Sequence, residues 1–214
     1  MKAWIFDLDG VVVDTAKYHY LAWRKLAAEL GFEFGEEHNE RLKGVSRMRS
    51  LEIMLEVGNL TVSPEEKQEL ADRKNGYYLE MVSGIDSSEI LPGIPEFIQR
   101  IKAKGGKIAL GSASKSGRMI LEKLGLAEQF DVIVDGNLVQ KAKPDPQVFL
   151  EAAKLLKVPC EDCVVIEDAK AGVEAALAGH MHCVGVGDVE MLGAADLVVS
   201  DTTKLLKAVF PWEK

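Results

Sequence analysis

Cysteine is scarce in this chain: three in 214 residues, at positions 160, 163 and 183. A small, odd number excludes a disulfide framework as the basis of the fold. Cys160-x-x-Cys163 has the spacing of a redox pair or half a zinc site, but no second pair of ligands stands at matching spacing. His180 and His182 only flank an expected strand start. All three cysteines are therefore expected to be reduced, one in a loop and two in strands. Basic residues are also in deficit, 26 Lys and Arg against 34 Asp and Glu, for a net charge of −8 and a pI of about 5.1. That balance argues against a nucleic-acid surface, which needs a basic face. It leaves room for a local basic pocket. No apolar run approaches membrane-spanning length, and no signal-peptide core follows Met1-Lys2, so the cytoplasm is the expected compartment. Internal repeats and low-complexity tracts are lacking too. Apolar residues, by contrast, make up 47%, enough for one large domain or a core with a smaller insert.

The most informative stretch is Phe6-Asp7-Leu8-Asp9-Gly10-Val11-Val12-Val13-Asp14-Thr15. It places two carboxylates two residues apart at the end of an apolar run beginning at Ala3. Strand side chains alternate, so Asp7 and Asp9 project to the same side if the extended geometry persists. Two unpaired carboxylates among Trp4, Ile5, Phe6, Leu8 and Val11 would be costly, an objection that a divalent cation or phosphate chemistry removes. Gly10 permits unusual backbone angles directly after the pair. A bare Asp-x-Asp is ordinarily a pair of turn acids; these flanks make more of it.

Strand patterns occur at 3–7, 107–111, 131–134, 163–167, 183–186 and near 196–199, with helical patterns between them and a final helix. Such alternation predicts an α/β fold with a doubly wound parallel sheet. In these sheets ligands bind beyond the carboxyl ends of the strands. Asp7, Ser112 and Glu167-Asp168 therefore converge on one edge. Residues 36–82 carry only helical periodicity, and Ser63-Pro64-Glu65-Glu66 reads as a helix start with Ser63 as cap. The expected division is a core of residues 1–14 and 88–214 with an inserted all-helical cap of residues 15–87. Trp23, Met54 and Tyr78 have helical spacing among apolar neighbours and read as insert core.

Asp7 and Asp9, Ser112, Lys143-Pro144 and Glu167-Asp168, taken in order, resemble the haloacid dehalogenase-like superfamily of phosphoryl-transfer enzymes, whose signature is Asp-x-Asp-Gly-x-Val. The resemblance covers essentially the whole chain. It extends to the branch that interconverts β-glucose 1-phosphate and glucose 6-phosphate, through Asp14-Thr15-Ala16-Lys17-Tyr18-His19, Trp23, Leu42-Lys43-Gly44-Val45-Ser46-Arg47, Arg73-Lys74-Asn75, Ser112-Ala113-Ser114-Lys115 and Ala142-Lys143-Pro144. The resemblance implies a Rossmann-like core under a helical cap and an intramolecular phosphotransferase. The rival within the fold is a phosphatase of sugar phosphates or small metabolites; a catalytically idle binding module is the rival from another class.

Spacing alone does not decide between the two aspartates. The resemblance makes Asp7 the nucleophile that becomes an aspartyl phosphate and Asp9 the general acid/base. It assigns Mg2+ to Asp7, the backbone carbonyl of Asp9, Glu167 and Asp168. Lys143 and Ser112 serve the transferring phosphoryl group. Arg47, with Ser114 and Lys115, grips the second phosphate. His19, Lys43 and Lys74 form a polar network that places Asp9 when the cap closes, and Thr15 marks one hinge, with the other near 83–91. Gly44, Val45, Ser46, Trp23, Ala113 and Ser116 complete the substrate-binding set. Ser116 is a departure, since the pattern has Asn there. Glucose 1,6-bisphosphate is the implied intermediate and activator. A phosphosugar is the implied partner, with no nucleic acid or membrane, and a monomer is expected because no exposed apolar stripe is evident.

Overall fold

The structure, a computed structural model, describes residues 1–42 and 45–212. Lys43 and Gly44, both named above, lie outside the described residues. Six parallel strands form one sheet: β1 (Ala3–Phe6), β2 (Lys107–Gly111), β3 (Val132–Val134), β4 (Cys163–Glu167), β5 (His182–Val186) and β6 (Leu197–Val199). Their order is β3-β2-β1-β4-β5-β6. The first strand of the chain is thus central, with Phe6 in register with Leu110 on one side and Ile166 on the other. Beyond that register lie Asp7, Gly111 and Glu167, which become neighbours although distant in sequence.

Alternation along the strands decides the two faces. Trp4, Phe6, Ile108, Leu110, Val164 and Ile166 enter one apolar cluster, together with α5 (Ile94–Ala103) and α6 (Gly117–Lys123). Ala3, Ile5, Ala109, Cys163, Val165 and Cys183 enter the other, under α7 (Gln147–Leu156) and α8 (Lys170–Ala178). Burial on both faces explains why these strands are nearly continuous apolar runs. The cysteines are free, two buried in strands and Cys160 half-buried before β4, as expected. A short helix, α9 (Val189–Leu192), precedes β6, and the expected final helix is only a 3₁₀ turn at Thr202–Leu206. There, Asp201 caps the turn by accepting from Thr203 N, and the chain then turns its apolar side chains Leu205 and Phe210 inward.

Between β1 and β2 come α1 (Ala16–Glu29), α2 (Glu36–Asn39), α3 (Arg47–Val57) and α4 (Pro64–Val82). They hold a third cluster of their own, including Trp23, Leu26, Phe34, Leu51, Met54 and Leu70. Ser63 caps α4 by accepting from Glu66 N at 3.2 Å, while Glu66 accepts from Ser63 N at 2.8 Å. Tyr78 departs from expectation, since its ring belongs to the sheet-side cluster with Ala22 and Val82. α4 therefore spans both units. The two chain crossings between helices and sheet run side by side: Val13 bridges Ile90, and Leu91 N donates to Val12 O at 3.0 Å.

Phe97 sits where this packing is densest, edge-on to Trp4 at 5.2 Å and near Phe6 and Phe210 at 6.2 Å each. Phe97→Ala should cost about 3–5 kcal/mol in denaturant unfolding. A loss below about 1 kcal/mol would show that the cluster can collapse around the gap.

Candidate active site

The strand tips assemble the site. Asp7 follows β1 directly, and its N–H donates to Ile166 O at 3.0 Å, which extends the β1–β4 pairing by one residue. Lys143, from the loop before α7, reaches under both tips. Its Nζ donates to Asp7 Oδ1 and to Glu167 Oε1, each at 2.6 Å. Burial alone would lower the pKa of this ammonium, but the charges of Asp7 and Glu167 outweigh it and hold it above the ordinary lysine range. Burial pushes the Glu167 carboxyl upward, against the pull of Lys143. The ring of Phe149 lies 4.7 Å from Nζ and closes the far side. Glu167 also accepts from Ala169 N at 2.8 Å. Its carboxylate rests on Gly172, where a Cβ would stand 1.8 Å from Oε1.

Asp7, Glu167 and Asp168 bring carboxylate oxygens within 4.8 Å of one another. Among the described residues, Lys143 donates to two of these three carboxylates, Asp7 and Glu167. Gly10, at φ +81°, passes so close that a Cβ there would lie 2.2 Å from Asp168 Oδ2. The oxygen-only set fits a hard divalent cation and offers nothing soft. Asp7 and Asp9 line the same cavity, and the charge of Asp7 acts on Asp9. The strand ends at Phe6 and the chain turns at Gly10, so only Asp7 joins this acidic cluster through its side chain.

Asp9 instead faces the helices. Burial, then the charge of Asp7, raises its carboxyl to about 6, although 24% of its side chain still meets the cavity. Thr15, fully buried, donates to Asp9 Oδ1. From α1, His19 Nε2 lies 3.8 Å from the same oxygen. From α4, Lys74 Nζ is 2.8 Å from His19 Nδ1. As an ammonium, Lys74 can only donate, so His19 accepts at Nδ1 and carries its proton on Nε2, toward Asp9. Burial, with the positive charge of Lys74, keeps the imidazole well below its usual pKa and hence neutral. Burial and Arg47 lower Lys74 to about 7. The Lys74 ammonium also lies over the rings of Trp23 and Tyr78, at 4.7 and 5.2 Å.

A cavity of about 410 Å³ lies between helices and strand tips. Asp7, Asp9, His19, Trp23, Val45, Ser46, Arg47, Lys74, Ala113, Ser114, Lys115, Ser116, Lys143 and Asp168 all line it, as the sequence led us to expect. Trp23 thus lines the cavity as well as the helical core. Arg47 is held by Asn75, whose Oδ1 accepts from Nη2 at 2.7 Å, and by Asp72 at 3.7 Å. Ser112, Thr15 and Glu167 lie behind the wall instead. Ser112 is fully buried and its Oγ accepts from Ser114 N at 3.1 Å, so it shapes the loop after β2. Asn75, Gln140, Ser50 and Tyr78 line the cavity without having been singled out as binding residues. Only the Lys74-Asn75 adjacency offered a signal for any of them.

A family model for haloacid dehalogenase-like hydrolases matches residues 1–180. The β-phosphoglucomutase of Bacillus subtilis is 44% identical over 207 residues, which cover 96% of this chain and 92% of that protein. A phosphorylated-carbohydrate phosphatase of Thermotoga maritima is 34% identical, covering 82% of this chain and 80% of its own. Among solved structures, a β-phosphoglucomutase from Clostridium difficile superposes with a TM-score of 0.91 at 46% identity, covering 96% of this chain and 93% of that one. The chain belongs to the haloacid dehalogenase-like hydrolase family.

With Mg2+ as the cation tested on this acidic set, Gly172→Ala should displace the Glu167 carboxylate and weaken its binding by about tenfold or more, a loss typical of disturbed metal surroundings. Titration calorimetry with the metal alone reads this directly. Unchanged affinity would separate Glu167 from the metal.

Proposed function

We propose that the protein interconverts β-D-glucose 1-phosphate and D-glucose 6-phosphate through an aspartyl phosphate and β-glucose 1,6-bisphosphate. The observation that carries the reading is the enclosure of two cationic poles in one cavity, Lys143 beside Asp7 and Arg47 across from it. A hexose monophosphate held by its phosphate at Arg47 would present its free C6 or C1 hydroxyl to phospho-Asp7 beside Lys143, where Asp9 takes the hydroxyl proton as the phosphoryl group transfers from Asp7.

Asp7 is the nucleophile: it stands at a strand tip and in contact with an ammonium that offsets the charge of an approaching phosphoryl group. Asp9 is the general acid/base, because its raised pKa keeps a proton exchangeable near neutrality. Asp7, Glu167, Asp168 and the carbonyl of Asp9 would hold Mg2+. When bound, the ion supplies charge neutralisation for phosphoryl transfer. Arg47, Ser114 and Lys115 hold the phosphate that is not transferring, and Asn75 keeps the Arg47 fork in place. Ser116 offers a single hydroxyl where the resemblance implies an amide.

Residues 15–87 act as the cap. Its paired crossings at Val13 and Ile90 suit a hinge, and Lys17 and Tyr18 both bond Glu89 across it, at 2.6 and 2.8 Å. Closure excludes water from the aspartyl phosphate and brings His19 and Lys74 to Asp9. Acidic composition favours a small anionic substrate held in a local basic pocket over nucleic acid or a membrane. The proposal takes the enzyme as a cytoplasmic monomer.

With magnesium and a trace of glucose 1,6-bisphosphate, the protein should convert β-glucose 1-phosphate faster than it releases inorganic phosphate. Predominant phosphate release would instead assign a phosphatase. Asp7→Asn should abolish both activities. Arg47→Ala should raise KM by about tenfold or more, the share of a charge-assisted bond to phosphate, with a smaller effect on kcat. An unchanged KM would remove Arg47 from the second phosphate site.

A further inference from the structure

Tyr78 carries one of two buried side-chain polar atoms that lack a hydrogen-bond partner among the described residues. The residue is 1% exposed. Its ring has ample reason to be there: it packs in the sheet-side cluster and stacks on His19 with centroids 3.9 Å apart and planes 18° from parallel. Phenylalanine would do both. The hydroxyl is the unexplained part, because a buried hydroxyl without a partner costs about 1–3 kcal/mol.

Its surroundings explain it. The hydroxyl lies beside the side chains of Thr15 and Ser114 without completing a bond to either. Thr15 has already given its only hydroxyl proton to Asp9 Oδ1, so its oxygen has lone pairs and lacks a donor. Ser114 Oγ already accepts from Ser116 N at 3.2 Å. Burial and the charge of Asp9 raise the phenol's pKa, so it remains a donor at any working pH.

We propose that Tyr78 is a positioning residue whose hydroxyl, by a small adjustment as the cap seats, donates to Thr15 and completes a chain Tyr78 → Thr15 → Asp9. The proposal rests on the reading of Asp9 as general acid/base. Hydrogen bonds in series polarise one another, so the added donor fixes the Thr15 hydroxyl on Asp9. Tyr78 belongs to α4 and Thr15 to the crossing from the sheet, so the chain forms only when the helices are seated. It approaches Asp9 independently of Lys74 and His19. The hydroxyl left unpartnered in the present arrangement is what such a device requires, a group satisfied only in the reacting state.

The test compares wild type, Tyr78→Phe, Thr15→Val, the double variant and Asp9→Asn. Loss of mutase turnover in the wild type, or full kcat in Asp9→Asn, would defeat the functional reading itself. Given an active wild type, Tyr78→Phe should lower kcat by about tenfold, the share of one hydrogen bond, with KM within about twofold. The double variant should be no slower than Thr15→Val alone, because the two act in series. Tyr78→Phe should melt at or above the wild-type Tm, since it removes an unsatisfied hydroxyl. A Tyr78→Phe kcat within about twofold of wild type, or losses that multiply in the double variant, would overturn the proposal.

Discussion

One buried ammonium governs the active edge of this molecule. Lys143 Nζ holds Asp7 and Glu167 at equal distance, 2.6 Å, across the tips of two adjacent strands. Neither carboxylate is tolerable there alone, because an unpaired buried charge costs several kcal/mol. Sheet order makes the contact possible: β1 is central, and its register with β4 sets Asp7 beside Glu167. Glycines make it tight. Gly172 gives Glu167 its seat, and Gly10 lets the turn after Asp9 lie against Asp168. The result is an oxygen-only set suited to a hard cation, with the Lys143 ammonium against Asp7.

The same turn separates the two aspartates into different tasks. Asp7 stays with the strand tips, whereas Asp9 looks toward α1 and α4 and acquires Thr15, His19 and, through His19, Lys74. The helical insert therefore does more than cover a cavity. Its cluster around Leu51 and Met54 backs the helix that bears Arg47, and α4 carries Lys74 and Asn75 on one turn and Tyr78 on the next, all lining the cavity.

Much of this was legible in the amino-acid order. The strand patterns at 163–167 and 107–111 match the structure to the residue. Ser63-Pro64-Glu65-Glu66 announced the start of α4. Other features were hidden for physical reasons. Alternation put Asp7 and Asp9 together and both line the cavity, but it could not show that the strand ends at Phe6 or that Asp9 meets Thr15 and His19. The order of residues gave Ser112 a place at a strand end but not that its hydroxyl is buried and accepts from Ser114 N. Tyr78 had the spacing of insert core, yet its ring packs in the sheet-side cluster, and nothing in its periodicity tells that its hydroxyl ends beside Thr15. Gly172 could not be singled out, since its role lies in an atom it does not have.

The Lys143 bridge is tested most directly by equilibrium unfolding of Lys143→Met in chelator and in magnesium. Two buried carboxylates left without their counter-charge should cost about 3–5 kcal/mol in chelator. Magnesium should narrow that deficit, because a cation on Asp7 replaces part of the missing charge. A variant as stable as wild type under chelation would contradict the account.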